Sequence, residues 1–219
     1  MSESFLIGAM LSIVGGFWDA YTYIARGKVF ANAQTGNIVL LGLNLAKGNW
    51  HKAVLYAVPI LAFVTGILIV ELVRLKLQNI STFHWRQIII AAELVIITAV
   101  AFIPYGNMDI VANVLVSFVC SLQVQSFRKI KGEVCATTMC TGNLRSATDL
   151  LFSAIRDKDK HKLSRSMVYF GLDLIFLIGA VIGVVAVDNF GGFSLISTSA
   201  VLAIVLILMN IRPKKEVNE

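Results

Sequence analysis

Six stretches of this chain, residues 5–25, 53–73, 88–103, 110–127, 167–187 and 194–211, are apolar for most of the length that a helix needs to cross a bilayer. A hydrocarbon core of roughly 30 Å takes about 20 helical residues at about 1.5 Å each. Within it each backbone N–H and C=O must pair inside its own segment, so each stretch is expected to be an α-helix. Composition excludes the main competing class. Only 15% of the residues are charged, against about 25% in a soluble domain, so the chain cannot cover its own surface with polar groups. The expected fold is all-α, a polytopic membrane bundle of about six helices in a single integral domain, residues 1–219. The first helix is expected to be retained, because Met1-Ser2-Glu3-Ser4 lacks the basic start of a cleaved signal and no Ala-x-Ala-like site follows.

Two further segments fit neither a span nor an ordinary loop. Residues 26–47 begin polar and end apolar, and carry Thr35-Gly36-Asn37; the same tripeptide recurs 106 positions on as Thr141-Gly142-Asn143. Each copy follows an apolar span, a short basic turn and a run of small residues. The chain thus reads as two repeats, about 5–105 and 108–211. Three spans per repeat is an odd number, so the second repeat enters the membrane with the opposite orientation, as in the inverted repeats of many transporters.

Basic residues set the orientation. With six spans, 15 of the 19 lysines and arginines fall on one side, and the other side receives Arg26, Lys28, Lys47 and Lys52. That bias puts both termini in the cytoplasm and favours six full crossings over eight. The net charge of +6 is read as topology rather than as a nucleic-acid surface, and no nucleic-acid partner is expected. The mixed-charge run 156–165 reads as a solvated connector.

The Thr-Gly-Asn tripeptide has a local meaning. Thr or Asn can cap a helix start, and Gly allows a close approach. A helix starting at mid-depth points unpaired N–H groups and the positive end of its dipole inward. Two such ends meeting would make a polar site from Gln34, Thr35, Gly36, Asn37, Thr141, Gly142 and Asn143. The alternative is a pair of surface loops whose helices only brace the bundle. Asp19 and Gln125 stand 16 positions before Thr35 and Thr141 respectively, each inside an apolar helix where a polar group usually faces an interior cavity. Asp19 is expected either to line the site or relay a proton, or to partner a loop base or a free N–H. Arg145 and Asp149 share a helix face and can pair with each other or with Asp19. Glu71 and Arg74 read as interfacial. Glu93 and Asp173 are deeper and have no counterpart in the other repeat. Gly179 and Gly183 read as a helix-packing pair.

Cys120, Cys135 and Cys140 have no metal-ligand spacing and read as packing residues. No nucleophile–base pair, metal cluster or phosphate loop is visible, so no enzyme, metal or cofactor is expected.

Gly15-Gly16-Phe17-Trp18-Asp19-Ala20, then Gly27-Lys28-Val29-Phe30 and Gln34-Thr35-Gly36-Asn37, with Leu122-Gln123 and Thr141-Gly142-Asn143 in the second half, resemble the YoaK family of small bacterial membrane proteins. Members of that family usually read Asn-Ala after the Leu-Gln, where this chain has Val124-Gln125-Ser126. The resemblance implies a bacterial inner membrane and about six helices, and supplies no substrate. The expected function is a small transporter or channel-like permease for an anion or a neutral polar solute, embedded in the lipid bilayer and working as a homodimer. A non-transporting scaffold, sensor or complex partner is the alternative.

Overall fold

The computed structural model describes residues 3–78 and 84–210. The described chain runs α1 (Phe5–Ala25), α2 (Gln34–Ala46), α3 (Trp50–Leu77), α4 (Trp85–Val100), α5 (Asp109–Ser126), a hairpin of β1 (Lys129–Ile130) and β2 (Glu133–Val134), α6 (Cys140–Asp157), α7 (Lys160–Phe190), a 3-10 turn (Gly191–Ser194) and α8 (Leu195–Asn210). The fold is all-α apart from that hairpin.

Each of the six apolar stretches is helical over most of its length; the first has the bounds expected from the sequence, and the third ends at Val100, with residues 101–103 in a turn. Two are longer than expected because polar residues at their ends also favour helix. Stretch 167–187 begins at Lys160, where Asp159 caps the helix by accepting from the N–H groups of His161 and Lys162 at 2.8 and 3.2 Å. Stretch 53–73 extends to Trp50–Leu77. Four helical stretches are long and apolar enough to cross a membrane: α1, α3, α5 and Lys160–Asn210, which the 3-10 turn divides into α7 and α8. Helix α4, with 16 residues, is shorter than a full crossing. Ile211, Arg212, Lys214 and Lys215 lie outside the described residues.

The helices are interleaved. Helix α1 packs along α7, α5 packs along α3, and α4 packs on α8. The main core gathers Leu11, Val14, Phe17 and Trp18 of α1, Ile90 and Ile97 of α4, Val116 and Val119 of α5, and Leu202 and Val205 of α8. Helices α3 and α7 flank this core and carry matching apolar stripes on their outer faces. Leu61, Val64, Leu68 and Leu72 are exposed on α3; Leu174, Leu177, Val181 and Val185, at the same spacing, are exposed on α7. Stripes at helical spacing with no protein cover suit a lipid surface. The repeat is therefore legible in a second register that the tripeptide does not reveal. Phe63-Val64-Thr65-Gly66 matches Phe176-Leu177-Ile178-Gly179, offset by seven residues more than the two tripeptides because α6 is longer than α2 and α7 begins earlier than α3 relative to this motif.

Glycine makes the close contacts. A Cβ on Gly16 would lie 2.0 Å from the Phe176 carbonyl, and one on Gly179 would lie 2.2 Å from the Ile13 carbonyl. Across the other pair, a Cβ on Gly66 would lie 2.9 Å from the Phe118 carbonyl. The Gly179/Gly183 pair thus serves α1 of the same chain.

Arg26 departs from expectation. Counted as a loop charge, it is instead fully buried at the end of α1. Its guanidinium donates to Tyr21 Oη (2.8 Å), Pro104 O (2.9 Å), Ile103 O (2.7 Å) and Asp109 Oδ1 (2.8 Å), and lies 4.4 Å from the centre of the Tyr105 ring. The rigid fork satisfies three elements at once, which a lysine could not do. It ties α1 to the start of α5.

The hairpin closes on Lys131 and Gly132, both at positive φ (51° and 82°), the signature of a two-residue turn that follows strand twist. Glu133 holds it to α7, accepting from Arg165 Nε (2.5 Å) and Nη2 (3.0 Å). Those bonds keep the Glu133 carboxyl below its ordinary value of 4.5. A depressed native value means that the contribution is complete above the unfolded value and is lost as pH falls through the native one. Protection of the amides of residues 129–135, taken relative to their intrinsic exchange at each pH, should therefore fall below about pH 4.5, and Arg165→Gln should remove that pH dependence.

Gly16→Ala and Gly179→Ala should each lower stability by about 1–3 kcal/mol, read as a fall in the midpoint of thermal unfolding in detergent. Gly142→Ala, where a Cβ would enter open space, should leave the midpoint unchanged.

Candidate functional site

The site is assembled from two loops that fold back onto the bundle. After α1 the chain reverses, and the Asp19 carboxyl receives it: Asp19 Oδ1 accepts from the N–H of Asn32 at 2.7 Å, with the Ala31 and Ala33 amides alongside. Asn32 Nδ2 donates to Gly15 O at 2.9 Å. Of the two roles expected for Asp19, anchoring a free loop N–H is formed in the structure, and the same carboxyl also borders a cavity. Helix α2 then begins at Gln34 with no side-chain cap.

Asn37 holds this start in place. Its Oδ1 accepts from Phe30 N at 3.1 Å and its Nδ2 donates to Phe30 O at 2.7 Å. The second copy repeats the clamp. Asn143 Oδ1 accepts from Ala136 N at 3.1 Å and its Nδ2 donates to Ala136 O at 2.7 Å. An amide on this length of side chain pairs with both groups of one residue. An aspartate would lose the donor. The spare proton on each amide has a different acceptor: Gln34 Oε1 for Asn37 (3.0 Å), and Asp173 Oδ1 for Asn143 (2.9 Å). Helix α6 begins at Cys140, again without a side-chain cap.

Both helix starts border one cavity of about 300 Å³. Its lining includes Asp19, Asn32, Gln34 and Thr35 from the first half, Thr138, Cys140, Thr141 and Gly142 from the second, and Phe63 and Phe176 as walls. Met139 and Gly142 also border a neighbouring cavity of about 410 Å³, where Arg128 and Arg145 are found.

Five of the ten residues expected at the site border this cavity, Asp19, Gln34, Thr35, Thr141 and Gly142, while Asn37 touches it only through its hydrogen bond to Gln34. Asn143 clamps the other start and faces the neighbouring cavity. Gly36 packs against the Phe30 ring. Arg145 is exposed and forms no ion pair with Asp149 or Asp19 among the described residues. Gln125 turns away from the central cavity and donates to Glu71, which also pairs with Arg74. The buried amide of the second half is instead Gln123, which donates to Leu11 O (3.1 Å) and Thr137 Oγ1 (2.9 Å). Gln123 was legible only as part of the Leu-Gln pair. The signal for Asp173 was its depth in an apolar helix. Glu93 is fully buried and neither oxygen has a partner among the described residues. No group of three or more metal-binding side chains occurs among the described residues.

Residues 7–209 match the family described as "Protein of unknown function (DUF1275)". The chain belongs to this family. Over 193 residues, 84% of each chain, it is 26% identical to the UPF0700 transmembrane protein YoaK of Bacillus subtilis (strain 168). No solved structure matches it. Membership of this YoaK-like family and the uncovered apolar helices make it an integral membrane protein.

Asn37→Asp and Asn143→Asp should each cost about 1–3 kcal/mol, since a carbonyl loses its donor. Asn143→Asp should cost more, because it sets a second carboxyl against Asp173. Thermal unfolding in detergent measures both, and equal costs would argue against the assigned acceptors.

Proposed function

We propose that this member of the family is a small transporter or channel-like permease of a bacterial cell membrane, and that its pathway runs through the cavity between the two Thr-Gly-Asn helix starts. The observation that carries the reading is that Thr35 and Thr141, from opposite halves of the chain, border the same cavity together with Asp19. Irregular backbone beside membrane helices is tolerated where protein buries it or where it lines a water-filled space. Here protein does the first and the cavity supplies the second.

The same reading takes α1, α3, α4, α5, α7 and α8 as six crossings, with α2 and α6 as partial ones. The partners exchange in step, α1 with α7 as α5 with α3, and this supports two repeats related by a two-fold axis. Six crossings in three-plus-three order make that axis lie in the membrane plane, which is an inverted repeat. Arg26 is buried against Asp109, and Lys28, Lys47 and Lys52 are the remaining basic residues of that side; the charge bias supports cytoplasmic termini. Six crossings can build only a thin wall around a pathway, which suits a homodimer.

Single cysteines at positions 32–38 and 138–144, on a background without Cys120, Cys135 and Cys140, test this in native membranes. Impermeant thiol reagents should reach the first set from one face and the second from the other, with protection deepening toward Thr35 and Thr141. Free, shallow labelling of both sets, or labelling of both from one face, would reject the pathway.

A further inference from the structure

The walls of the central cavity restrict what it can hold. Among the described residues no lysine, arginine or histidine borders it, and Asp19 is the sole carboxyl in its lining. The opposing positive field comes from two uncapped helix starts, each worth about half an elementary charge. Together the two ends roughly offset Asp19, and Asp173, which accepts from Asn143 at 2.9 Å, sets a second carboxyl at the α6 start. A bare anion would meet the carboxyl with no cationic side chain to hold it, and a bare cation would meet two positive helix ends.

Two buried oxygens specify further. Asn32 is 1% exposed; its amide nitrogen is spent on Gly15 O, and its Oδ1 has no partner. An amide oxygen only accepts, so whatever meets it must donate. Thr138 is 3% exposed and its hydroxyl is likewise unpartnered. Buried polar atoms without partners are costly in an empty site and become binding contacts once a ligand fills it. Helix α2 meets much of the reverse need internally, through Gln34 N–H to Asn32 O (2.8 Å) and Gly36 N–H to Ala33 O (2.9 Å), so it is the N–H groups at the start of α6 that require an acceptor. Phe63 and Phe176, one from each flanking helix, give the middle of the cavity an apolar, aromatic character. A volume of about 300 Å³ lies at the small end for ligand sites.

We propose, building on the pathway reading above, that the cavity takes a small solute of zero net charge with a donor group at one end and an acceptor group at the other, of the zwitterionic amino-acid class. The ammonium end meets Asp19 and Asn32 Oδ1, the carboxylate end meets the N-terminal turn of α6 at Thr141 and Gly142, and the short apolar body lies between the two phenylalanines.

Binding to the purified full-length protein in nanodiscs, measured by calorimetry, tests this with three probes of similar size. L-alanine carries both ends, L-alaninamide lacks the carboxylate, and propionate lacks the ammonium. Alanine should bind, and loss of either end should weaken binding at least about tenfold, since a charge-assisted hydrogen bond is removed. Thr138→Val provides a second signature. It removes an unpartnered buried hydroxyl, so the unliganded protein should unfold at the same or a higher temperature while its affinity for alanine falls. A merely structural Thr138 would lower the unfolding temperature and leave affinity alone. Propionate or alaninamide binding as tightly as alanine, no binding of any probe, or unchanged affinity in Thr138→Val would each overturn the proposal. These outcomes leave the pathway standing if the cysteines at 35 and 141 remain reachable from opposite faces. If those cysteines are sealed, the pathway falls as well.

Discussion

The structure depends on satisfying backbone groups where helices stop. Among apolar helices an unpaired N–H or C=O is costly, yet this chain places irregular backbone beside its bundle twice, before α2 and before α6. Side chains complete what secondary structure leaves open. Asp19 and Asn32 bind the first loop to α1, Gln123 binds the second to α5, and Asn37 and Asn143 each lock onto both groups of a residue seven positions earlier. With the loops fixed in this way, two helix starts can open onto a common space without collapsing into it.

The two halves share this construction and then diverge. The clamp geometry is the same to the tenth of an ångström, but the residue receiving the remaining amide proton differs: Gln34 within the same helix in one half, Asp173 from a neighbouring helix in the other. The carboxyl and amide that occupy equivalent positions also differ in task. Asp19 faces inward to its loop, whereas Gln125 faces outward to Glu71 on α3. Duplicated scaffolding with unlike fittings gives one cavity two chemically different ends, and that polarity underlies the choice of a solute with a donor end and an acceptor end.

Much of the architecture was legible because apolar length and a repeated tripeptide are read directly along the chain. Residues 5–25 became α1 unchanged, and Thr35 and Thr141 border one cavity. The second register, in which Phe63 and Gly66 answer Phe176 and Gly179, was obscured by the extra length of α6 and of the first turns of α7. Arg26 follows α1 in the connection, as expected, but its burial was not legible, because charge counting weighs a cation only by its position between spans. Only tertiary structure brings Tyr21, Pro104 and Asp109 around it. The hairpin at Lys129–Val134 escaped notice since two-residue strands have no periodicity to detect. Asn37 and Asn143 could be recognised as special, but their role as clamps depends on the backbone turning back seven residues, which no composition signal reports.

The interleaving of helices bears on how the protein is made. Trp18 on α1 donates to Thr198 on α8, 180 positions later, and the glycine face of α1 fits α7 rather than any helix near it in the chain. During synthesis α1 therefore enters the membrane long before its partners exist. Its close-contact groove and the Trp18 indole must wait, open, until the last third of the chain has emerged from the ribosome. Neither half can reach its final form first, so the molecule matures in one late step, and any membrane machinery that shelters unfinished helices would hold this chain almost to its end.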